Sequence, residues 1–119
     1  MIVALHSRLV PGSEEGYDRD HARIPDDLRA TFERLGIREW RIWRSGLDVF
    51  HVLDCDDYEA AMAGFDGDPA NERWQEVVDG YVDHFVDQGA GPGGVPQPLR
   101  LVHSLLDPAE LPGAPEQTG

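Results

Sequence analysis

The chain has 119 residues, which fits one domain with one modest core. Its 40% hydrophobic and 28% charged residues are those of an ordinary globular protein. With 23 acidic against 10 basic side chains the formal net charge is −13, which excludes nucleic-acid backbones and anionic membrane surfaces as natural partners.

In chain order, Ile2–Val10 alternates as a strand does, and Pro11-Gly12 ends it. Ser13 reads as a helix N-cap, with Glu14 and Glu15 in a first turn where the helix dipole favours negative charge. Tyr17, His21, Ile24, Leu28, Thr31 or Phe32, and Leu35 then recur at helical spacing, and Gly36 is the expected C-terminal cap. Pro25 lacks the N–H that would bond the His21 carbonyl, so this helix is expected to kink or restart just after His21. Two strands follow, Ile37–Arg44 and Leu47–Cys55, joined by a tight Ser45-Gly46 turn. Bulky apolar groups sit on both faces of both strands, which predicts that both faces are covered.

Asp56-Asp57 opens a short helix with Tyr58, Ala61, Met62 and Phe65, and Gly67-Asp68-Pro69 breaks it. Pro69 suits the first position of a second helix whose stripe is Trp74, Val77, Val78, Tyr81, Val82 and Phe85. A turn-rich loop runs from Gly89 to Pro98, Leu99–Leu105 is the expected last strand, and residues 107–119 read as a flexible tail. The domain is thus expected over residues 1–106. The order strand, helix, two strands, helix, strand predicts an α+β, ferredoxin-like βαββαβ fold with an antiparallel sheet. Two such units packed sheet against sheet would make a homodimeric α+β barrel.

No apolar run approaches the ~18–20 residues of a bilayer span, and no basic-then-apolar leader is apparent. Cys55 is the one cysteine and forbids an internal disulfide, so the expected setting is the reducing cytoplasm.

The sequence resembles the L-rhamnose mutarotase family. The resemblance begins in Glu15-Gly16-Tyr17-Asp18-Arg19-Asp20-His21-Ala22-Arg23-Ile24, similar to that family's Tyr-x-x-x-His-x-x-Ile segment. It continues through Leu35-Gly36-Ile37, Phe50, Asp54 to Tyr58, Asp68-Pro69, Arg73-Trp74, and Gly93-Gly94-Val95-Pro96 leading to Leu99 and Val102. It implies interconversion of the α and β anomers of L-rhamnose by a homodimeric barrel that needs no metal or organic cofactor. It also implies His21 as catalytic acid/base, Tyr17 as its neighbour and Trp74 as a sugar-stacking wall. The chain departs from the family at Pro25, where a Trp is usual, at Arg73-Trp74, where a Trp pair is usual, and at Trp40 and Trp43, where tyrosines are common.

The chemistry of the residues is compatible with that role. Mutarotation needs a group that gives and takes a proton near neutral pH, which histidine does, plus a second polar partner. Tyr17 and His21 are four apart and share a helix face, a pattern that amphipathic core residues also produce. Trp40, Trp43 and Trp74 are candidate stacking walls, and core or interface filling is the competing reading for each. His6, His51 and His103, on three strands adjacent in the expected sheet, form a possible additional pocket; if they converged they could hold a metal, although no ligand spacing within one element supports one. Arg8, Arg41 and Arg73 are candidates for holding a carboxylate or a hydroxyl pair, or ordinary ion-pair partners. The Gly89–Gly94 stretch follows a helix and precedes a strand, the reverse of a phosphate cradle.

The expected function is therefore an aldose mutarotase acting on a small-molecule sugar without cofactor. A polyketide-type cyclase or cofactor-free oxygenase on an aromatic substrate is the rival within catalysis. A pocket well above one pyranose in volume would favour it. A non-catalytic binding module is the rival outside catalysis.

Overall fold

The computed structural model describes residues 1–86 and 95–106. The elements are β1 (Ile2–Leu9), α1 (Glu14–His21), α2 (Asp26–Arg34), β2 (Ile37–Ser45), β3 (Asp48–Cys55), α3 (Tyr58–Phe65), α4 (Pro69–Val78) and β4 (Val82–Phe85). The four strands form one antiparallel sheet in the order β2-β3-β1-β4, so the fold is α+β and ferredoxin-like. The glycine-rich residues 89–94 and the expected tail 107–119 lie outside the described residues.

Strand parity assigns the two faces of the sheet. Val3, Leu5, Ser7 and Leu9 of β1 and Val49, His51, Leu53 and Cys55 of β3 are buried beneath the helices. On β2 a register irregularity between Ile37 and Glu39 lets Ile37, Trp40 and Ile42 all serve that layer despite their odd spacing. Three apolar clusters result. Tyr58 and Ala61 of α3 join Val3, Leu5 and Leu53, Tyr17 of α1 joins Leu9 and Val49, and Leu28 of α2 joins Trp74 and Val78 of α4. Among the described residues the opposite face is open, with Trp43 54% exposed and Phe50 and Ile2 also exposed.

Local chemistry explains the boundaries. Asp57 caps α3 by accepting from Ala60 N at 3.1 Å, and Asp68 caps α4 by accepting from Asn71 N at 2.9 Å with Pro69 behind it in the first turn. Gly46 opens the two-residue β2–β3 turn at φ +61°, a backbone that favours glycine, and the turn is Gly46-Leu47, one residue later than expected.

One expected break is found, and two expected elements differ. The long helix from Ser13 to Leu35 is two helices, α1 ending at His21 and α2 starting after Pro25, as the proline argument anticipates. The second long helix ends at Val78, and Val82–Phe85 is the fourth strand, paired to β1 through Leu9↔Val82 and Ser7↔Phe85. Tyr81, Val82 and Phe85 continue a helical spacing, but the outer edge of β1 needs backbone partners, and pairing there satisfies both chains. Leu99–Leu105 is consequently irregular and not a strand; it touches the same edge by the bond from Leu99 N to Ala4 O at 2.7 Å.

Candidate active site

The break at Pro25 leaves His21 as the final residue of α1, one turn above Tyr17. Tyr17 is 2% exposed, wedged against Leu9 and Val49, and this fixes the helix face. The bidentate pair of Arg44 with Asp18, at 2.7 and 2.6 Å, ties the same turn of α1 to the end of β2. The His21 ring stacks on Tyr17 at 3.7 Å between centroids, and Nδ1 lies 2.8 Å from the Tyr17 carbonyl. A carbonyl only accepts, so Nδ1 carries the proton of the neutral ring and Nε2 presents its lone pair. Trp74 of α4 approaches His21 edge-on at 4.9 Å and Trp40 of β2 at 6.0 Å.

Burial sets the protonation states. It lowers the His21 pKa below the usual 6.5, against the opposing pull of the Tyr17 carbonyl and of Asp20 and Asp18. Burial, helped by the Asp18 carboxylate, pushes the Tyr17 phenol well above its usual range and keeps it a neutral donor. The Tyr17 hydroxyl is buried and has no hydrogen-bond partner among the described residues. An orphaned polar atom of that kind costs roughly 1–3 kcal/mol unless a ligand or water satisfies it.

Behind Trp40 lies a polar chain that the sequence did not reveal. The Trp40 indole N–H donates to His51 Nδ1 at 3.2 Å, so the His51 proton is on Nε2, which donates to Ser7 Oγ at 3.1 Å. That direction is the reverse of an activated Ser–His pair, in which the imidazole accepts from the serine. His51 is pushed down to about 4, chiefly by burial. Ser7, 0% exposed, is the residue sequence reasoning missed. Its signal is a lone polar side chain at the parity of Val3, Leu5 and Leu9.

Two hollows meet at Tyr17, His21, Phe32 and Trp40. The larger, about 1180 Å³, runs under the sheet past Ser7, His51, Trp74 and Phe85 to Val95 and Pro96. The smaller, about 660 Å³, opens toward Arg23, Arg29, Arg38 and Arg44 and their acidic neighbours.

Among the candidates named from sequence, Tyr17, His21, Trp40, Trp74 and His51 are brought together here. The others lie elsewhere. Trp43 is exposed on the open face of the sheet. On that same face His6 stacks on Phe50 at 4.4 Å and shares Asp48 with Arg8. Arg73 pairs with Asp27 on the surface and Arg41 with Glu39. His103 is exposed in the irregular segment after the sheet. His6 and His51 point to opposite faces of the sheet, so the three strand histidines do not converge. Among the described residues no group of three metal-ligating side chains forms, and no helix is long and apolar enough to cross a membrane.

Over residues 2–105 the sequence matches the model of the L-rhamnose mutarotase family. No curated protein matches the sequence. Among solved structures the fold is similar to that of an L-rhamnose mutarotase from Formosa agariphila, at 15% identity and a TM-score of 0.67, covering 88% of this chain and 98% of that one. It is also similar to the tetracenomycin F2 cyclase of Streptomyces glaucescens, a type-II polyketide cyclase, at 14% identity and a TM-score of 0.59, covering 87% and 97%. At these identities the likeness to either structure is one of fold.

Proposed function

Since the chain belongs to the L-rhamnose mutarotase family, we propose that it interconverts the α and β anomers of L-rhamnose or a related 6-deoxy sugar, with His21 as the proton carrier. The observation that carries this reading is the His21 imidazole, with Nδ1 committed to the Tyr17 carbonyl at 2.8 Å and its Nε2 lone pair left for a ligand. In the proposed reaction Nε2 takes the proton of the anomeric hydroxyl while the bond from C1 to the ring oxygen breaks. The same proton passes to the ring oxygen, giving the open hydroxy-aldehyde. Rotation about the C1–C2 bond and the reverse transfers close the ring on the other face. The Tyr17 phenol, a neutral donor without a partner among the described residues, supports the oxygen that gains electron density. Trp74 and Trp40 offer indole surfaces to the apolar C–H face of the sugar.

NMR anomer exchange of L-rhamnose with and without protein tests this reading. Acceleration is expected, and it should vanish in His21→Ala. Acceleration that survives in His21→Ala would remove His21 from the reaction. Ligand binding without turnover in the parent would instead make the barrel a binding module.

The volume of about 1180 Å³ favours a second reading, a cyclase acting on a larger aromatic substrate. It lies above the roughly 300–1,000 Å³ usual for drug-sized ligands. Turnover of a polycyclic aromatic substrate with no effect on L-rhamnose would select it.

We further propose that the working unit is a cytoplasmic homodimer whose subunits bury the open sheet faces carrying Trp43 and Phe50, both exposed in one chain. Sedimentation at micromolar concentration should show a dimer that Trp43→Glu converts to monomer. A monomeric parent would defeat the barrel.

A further inference from the structure

We propose that His51 is a positioning residue of the sugar site, holding the Trp40 indole beside His21 through Nδ1 while Ser7 holds His51 through Nε2. The ligand in this role is that of the mutarotase reading, on which the role rests to that extent; the hydrogen bonds themselves belong to the chain alone. Three observations converge on it.

First, Trp40 stands on β2, an edge strand of the sheet, immediately after the register irregularity between Ile37 and Glu39. Backbone pairing on one side only, next to a bulge, constrains a large side chain weakly. Phe32, 5.2 Å away between centroids and tilted by 39°, offers the ring an apolar contact that carries no polar direction. The indole N–H supplies that direction through its one acceptor among the described residues, His51 Nδ1, at 3.2 Å.

Second, the anchor reaches inward. Trp40, His51 and Ser7 lie on β2, β3 and β1, so the chain of bonds crosses three strands from the edge of the sheet to its interior. His51 is 8% exposed and Ser7 0%. Both occupy parity positions otherwise filled by Val3, Leu5, Val49 and Leu53, where an aliphatic residue would pack without desolvating a polar group. His51 bonds to Ser7 on one side and to Trp40 on the other, which accounts for the two polar residues in an apolar layer.

Third, the tautomer is determined. The indole can only donate, so Nδ1 must be unprotonated and the hydrogen must sit on Nε2, where Ser7 Oγ accepts it. Removing the imidazole leaves the indole N–H without an acceptor, and the ring must turn to find one. The side chain that turns is one wall of the cavity at His21.

The test uses 15N-labelled protein and three variants, His51→Leu, His51→Asn and Ser7→Ala. The Trp40 indole resonance is assigned by its absence in Trp40→Phe. In His51→Leu this resonance should move upfield and lose protection from solvent exchange. In anomer exchange of L-rhamnose, KM should rise about five- to tenfold, the effect of one lost hydrogen bond, with kcat changed less than about twofold. Asn places its carbonyl oxygen near the position of Nδ1, so His51→Asn should restore both the resonance and much of the KM. Ser7→Ala, a small change that leaves the fold intact even if His51→Leu does not fold, should shift both readouts in the same direction by less. An unmoved Trp40 resonance in His51→Leu, or equal KM in the Leu and Asn variants, would overturn the assignment; with Leu unfolded, an unmoved resonance in Ser7→Ala would do so. Absence of acceleration in the parent would overturn the mutarotase reading and leave the Trp40 resonance to decide the role of His51.

Discussion

Tyr17 and His21 occupy the last turn of a two-turn helix, and their relation is local: a spacing of four stacks the rings and lets Nδ1 reach the Tyr17 carbonyl. The shared helix face is legible in the sequence, because the spacing of four imposes it, whereas the stacking and the bond also need the burial that selects the rotamers. The protonation state is not legible, because it depends on what buries the ring. Burial lowers the His21 pKa below 6.5, and a base must be unprotonated to act. The acid limb of kcat/KM for L-rhamnose should therefore have its midpoint below pH 6.5. A pH series of anomer exchange checks this, and a midpoint above 6.5 would show that burial does not hold the free-enzyme imidazole neutral. Trp40 and Trp74 differ in kind from Tyr17: 34 residues separate them, and no local spacing says that both end beside His21.

Among the elements, those with punctuation were readable. Pro25 separates α1 from α2, Asp68-Pro69 starts α4, and Gly46 turns β2 into β3. The failure was at Tyr81–Phe85 and Leu99–Leu105, where a short apolar stretch suits helix, strand or irregular chain. The unpaired edge of β1 chose between them. The Asp68 carboxylate also shows an element boundary serving two helices, since it caps α4 and accepts from Thr31 and Arg34 of α2. Between those helices Leu28 is fully buried against Trp74 and Val78. Leu28→Ala should cost roughly 2–5 kcal/mol in urea denaturation and loosen the Trp74 wall. A loss below about 1 kcal/mol would mean that α2 and α4 do not share a packed core.

For the whole molecule, the buried neutral His51 links stability to pH. Its folded pKa of about 4 lies below the unfolded value of 6.5, so the unfolded chain binds the proton more readily. The stabilisation is complete above pH 6.5 and is lost as pH falls from 6.5 toward 4. Between pH 7 and 5 the loss from this one group is about 2 kcal/mol, and burial of His21 adds in the same direction. Urea midpoints over that range should fall, and less steeply in His51→Asn; equal slopes would place the titration elsewhere. Carboxylates such as Asp18 and Asp54, held low by Arg44 and Arg38, add to the loss only at more acid pH. The sequence by itself determined the fold class, the break after His21, the two faces of β2 and β3 and the family resemblance, because each rests on short-range periodicity or on ordered motifs. Only the tertiary structure decided which strand completes the sheet, which tryptophans meet His21, and that His6 and His51 face opposite ways with His51 bonded to Ser7 and Trp40. Those are matters of burial and edge pairing between distant segments, and a linear pattern does not contain the distances that settle them.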